Sequence, residues 1–204
     1  MVKDMKSFVK KGYETGDYIQ AYNRTLKKIS SLKRPLFDEL LKRIPKRARI
    51  LDMGCGAGVP YTKFLVTKGH EVTGIDNSEK LLKVAKKLIK KAKFIEGDFS
   101  TYEFKGKYDA IVSFYAIFHI PRSQHRRLFE KIHSLLKKNG LVLITLGAED
   151  MKLEVSEFIG SRMAWSSYSI EKNRKLLINA GFKILVALED NRHEHHLWIL
   201  AQKK

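Results

Sequence analysis

Residues 50–60 read ILDMGCGAGVP. An apolar run, Ile50 to Met53, stops at three glycines, Gly54, Gly56 and Gly58, and an apolar pattern resumes at Val59. Glycine is the residue for backbone that must turn left-handed or come close to a ligand, because it has no Cβ to clash. A strand, a glycine-rich turn and a helix open the α/β units that bind ligands at the carboxyl end of a sheet. The dinucleotide fingerprint of such units is G-x-G-x-x-G; here the spacing is G-x-G-x-G, one residue shorter. The turn alone leaves its ligand open.

Outward from the turn, strand and helix patterns alternate. ARILDM (48–53) is a short buried strand, and a helix from about Val59 to Lys68 is closed by Gly69. EVTGID (71–76) is the second strand, and Asn77 or Ser78 caps the helix after it. KFIEGD (93–98) and YDAIVSF (108–114) are the third and fourth strands; the fourth is continuously apolar, as a central parallel strand should be. A helix over 121–140 starts at Pro121 and stops at Asn139-Gly140, and GLVLITLG (140–147) is the fifth strand. Residues 149–168 read as irregular or weakly helical, with aromatic residues. A helix over 170–181 ends at Gly181, and FKILVALE (182–189) and HHLWILAQ (195–202) form a candidate antiparallel pair. Upstream, 1–34 is polar and Lys-rich with one or two helices, and Pro35 opens a helix that Pro45 ends. The expectation is one three-layer α/β domain over 1–204 with a mostly parallel seven-stranded sheet. Its parts are a helical lid (1–34), a cofactor-binding core (35–147), a substrate-side insertion (148–168), and a final helix and hairpin (169–204).

Composition narrows the class. The chain has 204 residues, enough for one full core, and 40 Lys+Arg against 22 Asp+Glu give a net charge of +18. That charge favours anionic partners, nucleic acid among them. The lysines are dispersed, however. In SEKLLKVAKKLIKKAK (78–93), Leu81, Leu82, Ala85, Leu88, Ile89 and Ala92 recur at helical spacing, and Lys83, Lys86, Lys87, Lys90 and Lys91 take the other face. With no interleaved aromatics, this reads first as a core helix with a solvated lysine face. Lysine enrichment also marks thermophile surfaces, so the charge can reflect habitat. One cysteine, Cys55, excludes an internal disulfide framework. No apolar run spans a bilayer and the N-terminus has no signal-peptide core, so the chain is expected to be cytoplasmic, a monomer or homodimer with no membrane partner.

Three acids follow three successive strands. Asp52 precedes the glycine turn; a carboxylate there repels a pyrophosphate and attracts an ammonium group. Asp76 ends the second strand, where an acid accepts both hydroxyls of a ribose. Asp98, followed by Phe99, can accept from an adenine amine. Together they fit a ligand with an ammonium, a ribose and an adenine.

In this order and spacing, ILDMGCGAG, VTGID, FIEGDF and YDAIVSFYAIFHI resemble the motifs of class I S-adenosylmethionine-dependent methyltransferases, strongly over residues 48–147. The resemblance implies a Rossmann-like sheet with a C-terminal antiparallel hairpin and S-adenosylmethionine as cofactor. It implies that Gly54, Gly56 and Gly58 shape the turn around Cys55, that Asp76, next to Asn77, binds ribose, and that Asp98 with Phe99 holds adenine. Ser113 to Tyr115, with Phe114 between them, would face the methyl donor. A looser resemblance of the tail, TLGAED and MAWSSYSIEKNRKLLINAGF, is to small methyltransferases without an assigned substrate.

Methyl transfer from a sulfonium is an in-line displacement, so the protein chiefly positions the acceptor, excludes water and removes a proton. His119 and Tyr115, just past the fourth strand, are the candidate catalytic side chains. Trp165 and Tyr168 are candidate walls of the acceptor pocket, and Tyr13, Tyr18 and Tyr22 candidate lid residues, Tyr18 and Tyr22 also contacting substrate. His193, His195 and His196 invite a metal, but no carboxylate pattern lies nearby at ligand spacing other than Glu194, on the wrong face, and a solvated strand end is expected instead. Ser113-Phe114-Tyr115-Ala116 lacks the Asn/Asp-Pro-Pro-aromatic run of enzymes that methylate base amines, and the only cysteine sits in the turn, unsuited to cytosine carbon-5 chemistry. The expected acceptor is a small molecule, anionic if the charge serves it. An RNA or protein methyltransferase is the alternative, and an NAD-binding oxidoreductase a more distant one.

Overall fold

A computed structural model describes residues 4–15, 29–191 and 195–204. Its strands follow the alternation of the sequence. In β1 (Arg49–Met53), Ile50 packs with one hydrophobic cluster, and Leu51 and Met53 with the other. The same period of two recurs in β4 (Tyr108–Ser113), where Ile111 opposes Ala110 and Val112. Both faces are therefore buried, as a sheet covered by helices on each side requires.

Between them run α3 (Tyr61–Thr67), β2 (Glu71–Asp76), α4 (Glu79–Leu88) and β3 (Lys93–Glu96). Two helices precede β1: α1 (Met5–Thr15) and α2 (Arg34–Arg43), the latter with Pro35 in its first turn. The Ser78 side chain caps α4 by accepting from the Leu81 amide. After β4 come two short 3₁₀ turns, α5 (His125–Leu135), β5 (Leu136–Gly147), β6 (Met151–Phe158) and β7 (Ser161–Ser167). The chain ends with α6 (Ile170–Asn179), β8 (Phe182–Asp190) and β9 (His196–Lys203).

The seven-stranded sheet has the order β3-β2-β1-β4-β5-β9-β8. The five strands from β3 to β5 are parallel neighbours, and β9 is antiparallel to both β5 and β8. From β1 the chain runs outward to β2 and β3, then crosses back to β4 on the other side. That reversal makes the crevice above the ends of β1 and β4 the binding position of the fold.

Three expectations are corrected. Residues 149–168 are neither irregular nor helical but the antiparallel hairpin β6–β7, a separate two-stranded sheet. Its two-residue turn is Ile159-Gly160, with φ of 48° and 73°, left-handed at both positions as such hairpins require. The helix expected to reach Gly140 ends at Leu135, because Leu136 is buried and pairs with Tyr108 across the sheet. A register shift between Tyr108 and Ala110 absorbs the exposed residues 137–139. Leu88, assigned to the apolar stripe of its helix, is 47% exposed, because the helix stops there and Ile89 turns inward instead.

Candidate active site

The glycine turn is held by backbone bonds to the neighbouring strand. The amides of Gly54 and Cys55 both donate to the Ile75 carbonyl, at 2.8 and 3.0 Å. Gly54, Gly56 and Gly58 all have positive φ, at 75°, 52° and 76°. A Cβ on Gly54 would lie 2.3 Å from Ala116 Cβ, so the turn also sits directly against the loop after β4. The Cys55 side chain packs on Gly74, where a Cβ would come within 2.7 Å of its sulfur. Burial pushes the Cys55 thiol well up, with Asp52 and Asp76 adding to the effect. It is a packing residue of the turn.

The turn opens onto a cavity of about 260 Å³ above the ends of β1, β2 and β4. Asp52, Asp76 and Asp98 all line it, with Gly54, Gly56 and Asn77. Asp52 is 1% exposed. Its Oδ2 accepts from the Thr62 hydroxyl at 2.5 Å, and its Oδ1 is buried without a hydrogen-bond partner among the described residues. Burial raises its carboxyl to about 7, against the Thr62 hydrogen bond and with the Asp76 charge. Asp76 is tied into the turn: Oδ2 accepts from the Gly56 amide and Oδ1 from the Ser78 amide, both at 2.9 Å. Burial still holds its carboxyl above the ordinary range.

Asp98 brings in a residue that local sequence could not announce. Lys6 of α1 donates to its Oδ2 at 2.8 Å, while the Ser100 amide and hydroxyl donate to Oδ1 at 2.8 and 2.7 Å. Burial alone would raise this carboxyl; Lys6 and Ser100 outweigh it and hold it below the usual value. Phe99 and Phe114 also line the cavity. The Phe114 ring packs against Tyr61, 4.2 Å between centroids, and stacks on Trp198 at 5.3 Å.

The other end of the cavity is aromatic. His119 is buried there, its Nδ1 2.8 Å from the Ala164 carbonyl and its Nε2 2.9 Å from the Tyr13 hydroxyl. Trp165 lies beside it, with ring centroids 5.8 Å apart and Phe158 edge-on to the Trp165 ring. Tyr115 reaches the cavity wall with φ of 57°, its hydroxyl accepting from the Lys33 ammonium at 2.5 Å. Lys33 also pairs with Asp190 at 3.4 Å, inside the protein. Tyr115 is thus anchored through its oxygen to an internal cation rather than presenting a loose hydroxyl to an acceptor.

Tyr168 is not part of this wall. Its ring packs against His125 and under the Arg122 guanidinium, so its expected substrate contact is withdrawn. Tyr18, Tyr22 and His193 lie outside the described residues. The histidine run divides by strand alternation. His195 is exposed between Glu149 and Glu189, 2.8 and 3.0 Å away, which raise its imidazole. His196, expected at a solvated end, instead stacks on Phe118 in the cavity wall. Lys6, Thr62, Val9, Phe118 and Phe158 are among the site residues that the sequence did not single out, and His196 was singled out only with the histidine cluster. Only for His196 was there a usable signal, the period of two along β9.

A methyltransferase-domain family matches residues 50–140. The chain is 30% identical over 172 residues to the carboxy-S-adenosyl-L-methionine synthase of Campylobacter concisus, covering 71% of this chain and 73% of that one. Among solved structures, an amino pentose methyltransferase from Micromonospora echinaspora superposes with TM-score 0.72 at 15% identity, over 92% of this chain and 96% of its own. The 1,6-didemethyltoxoflavin-N1-methyltransferase of Burkholderia thailandensis, solved with S-adenosylhomocysteine, gives TM-score 0.68 at 20% identity, over 92% and 86%. These structural likenesses show the fold. The cavity is consistent with the cofactor's chemistry, since an orphaned buried carboxylate oxygen on Asp52 suits an ammonium and forbids a pyrophosphate. The dinucleotide-oxidoreductase alternative falls with these findings: the chain belongs to the class I S-adenosylmethionine-dependent methyltransferases, with S-adenosylmethionine as its cofactor.

Proposed function

We propose that the protein methylates a small molecule held at the aromatic end of the cavity, between α1, the loop after β4 and the β6–β7 hairpin. The observation that carries this reading is the double cover. Val9 and Tyr13 of α1, and Phe158, Ile159 and Trp165 of the hairpin, all line the cavity above the strand ends. Such a roof suits an acceptor that is enclosed rather than one laid across a surface. Among the described residues Lys6 is the only Lys or Arg in the lining, and it is paired with Asp98. An uncharged or cationic acceptor is therefore favoured over an anionic one.

In this reading Asp52 holds the cofactor's ammonium, Asp76 accepts from its ribose hydroxyls, and Asp98 with Phe99 borders its adenine. The cofactor supplies an activated methyl group. The protein's own contribution is placement and exclusion of water. His119 is a poor base, since burial lowers its imidazole to about 4, and it serves to orient. In this reading 1–34 acts as a lid and 148–168 as the acceptor-side insertion. A reducing, cytoplasmic setting suits the single buried thiol. Among the described residues no helix is long and apolar enough to cross a membrane.

The test is radiolabelled methyl transfer into fractionated cell extract, with small-molecule, RNA and protein fractions kept apart. Label in the small-molecule fraction is the expected result. Label confined to RNA or protein would transfer the function to the basic surface, where Lys83, Lys86, Lys87 and Lys90 are exposed.

A further inference from the structure

The acceptor end of the cavity contains hydrogen bonds whose direction is fixed by the backbone. The Ala164 carbonyl can only accept, so His119 Nδ1, 2.8 Å from it, carries a proton. Burial keeps the imidazole neutral, with its pKa lowered to about 4, so Nε2 carries none and can only accept. The Tyr13 hydroxyl, 2.9 Å from Nε2, must then donate its one proton there. Whatever else Tyr13 contacts, its oxygen is left able only to accept. A main-chain carbonyl on β7 thus sets the polarity of a phenol on α1, at the cavity wall.

We infer that Tyr13 is a specificity-determining residue and that the acceptor is a small uncharged amine whose N–H donates to the Tyr13 oxygen. This rests on the small-molecule reading above. An acceptor with no donor group would meet the Tyr13 oxygen with lone pair facing lone pair. Trp165, Phe158 and Phe118 give the flanking apolar surface that a neutral, flat molecule needs.

The chain also disfavours oxygen acceptors. An alcohol has to lose its proton to become a strong nucleophile, and the proton's route through Tyr13 ends on an imidazole that resists protonation. A neutral amine nitrogen, whose lone pair is not part of an aromatic ring, needs no prior deprotonation. Its lone pair forms the new N–C bond while the S–C bond breaks and its electron pair stays on sulfur; the ammonium formed then gives a proton to water. Tyr13 is a positioning group in this scheme, fixing one N–H and with it the direction of the lone pair.

The test uses the full chain loaded with S-adenosylhomocysteine. Nitrogen-15 histidine spectra at pH 7, with His119 assigned through His119→Gln, should show Nδ1 protonated and Nε2 bare. An Nε2–H tautomer or an imidazolium overturns the inference. In the same samples, aniline and indole should bind about tenfold more tightly than N,N-dimethylaniline and 1-methylindole, the value of one satisfied neutral hydrogen bond. Tyr13→Phe should abolish that preference. Equal binding within each pair, no binding of any of the four, or a preference that survives Tyr13→Phe refutes it. Wild-type protein that fails to bind S-adenosylhomocysteine removes the site itself; binding of that product without N–H preference removes only this inference.

Discussion

In the proposed site the Asp52 carboxyl, facing the cofactor's ammonium, links cofactor binding to pH. In the free protein its pKa is about 7, raised chiefly by burial, with Oδ1 lacking a partner among the described residues. An ammonium beside it favours the charged form and lowers that pKa. Binding an ammonium below pH 7 therefore releases a proton from Asp52, and each pH unit below 7 costs about 1.4 kcal/mol, or a tenfold loss of affinity. Above pH 7 the group is already charged, so its contribution levels off. Asp52→Asn keeps a partner for Thr62 but removes the charge. Losing one charge-assisted hydrogen bond, about 1.5–3 kcal/mol, predicts roughly 10- to 150-fold weaker binding at pH 8. The gap should close towards pH 5.5 as the wild type weakens and the variant does not. Calorimetry with S-adenosylhomocysteine in two buffers of different ionisation heat reads both the affinity and the proton released. Wild-type binding without proton release at pH 6, or the same pH slope in Asp52→Asn, would refute the assignment.

Gly54→Ala and Gly69→Ala make a matched pair. Both positions have positive φ, 75° and 86°, but the added methyl meets Ala116 at 2.3 Å in the first and nothing within 4 Å in the second. Urea unfolding should show a loss of roughly 1–2 kcal/mol for Gly69→Ala from backbone conformation, and a larger one for Gly54→Ala. Only Gly54→Ala should lose product binding; equal effects would contradict a close approach at the turn. Trp165→Ala should lower methyl transfer into the small-molecule fraction at least tenfold while S-adenosylhomocysteine affinity stays within twofold, whereas Tyr168→Leu should lower stability and leave transfer near wild type. The reverse pattern would move the acceptor wall. The buried histidines should lower stability as pH drops from 6.5 to 4. His119 and His125, both lowered from 6.5 to about 4 chiefly by burial, contribute stability that is full above pH 6.5 and lost as pH falls towards 4. Asp52 runs the other way, its contribution full below about pH 4 and lost as pH rises through about 7. Asp76, also raised by burial, opposes the histidines with Asp52, so the difference between proteins is the readout: His125→Gln should reduce the pH slope of stability in this window by up to about 1.4 kcal/mol per pH unit. An unchanged slope in His125→Gln would mean that this histidine is not neutral in the fold.

What could be read in advance was the part of the site made by backbone. The three glycines announced a turn because only a residue without Cβ fits it, and the acids at the ends of β1 and β2 announced themselves by position along the chain. The hairpin β6–β7 stayed hidden for a physical reason. Its turn is Ile159-Gly160 rather than Asn-Gly, and β6 leaves Leu153 and Phe158 exposed, so neither turn chemistry nor alternation marks it. Lys6 stayed hidden, and Tyr13, named only as a lid candidate, was not matched to His119, because the partners Asp98 and His119 are 92 and 106 residues away in sequence. No local pattern encodes such a meeting; tertiary packing makes it, with Gly12 letting α1 lie against Met163 of β7.

This division has a consequence for specificity. The groups proposed to hold the cofactor come mainly from β1, β2 and the loops after β1 and β3, where pairing within the sheet fixes their separation. The groups proposed to choose the acceptor come from α1, the loop after β4 and the hairpin, and they are joined only by side-chain contacts such as Tyr13 with His119. The Lys6 ammonium and the Tyr13 hydroxyl sit on one helix, seven residues apart in sequence, at the proposed adenine and acceptor ends of the same cavity. Any shift of α1 must therefore alter both contacts together. On the proposed reading, one helix then touches both the cofactor end and the acceptor end, so substitutions in α1 are expected to retune the acceptor while the glycine turn and its acids remain as they are.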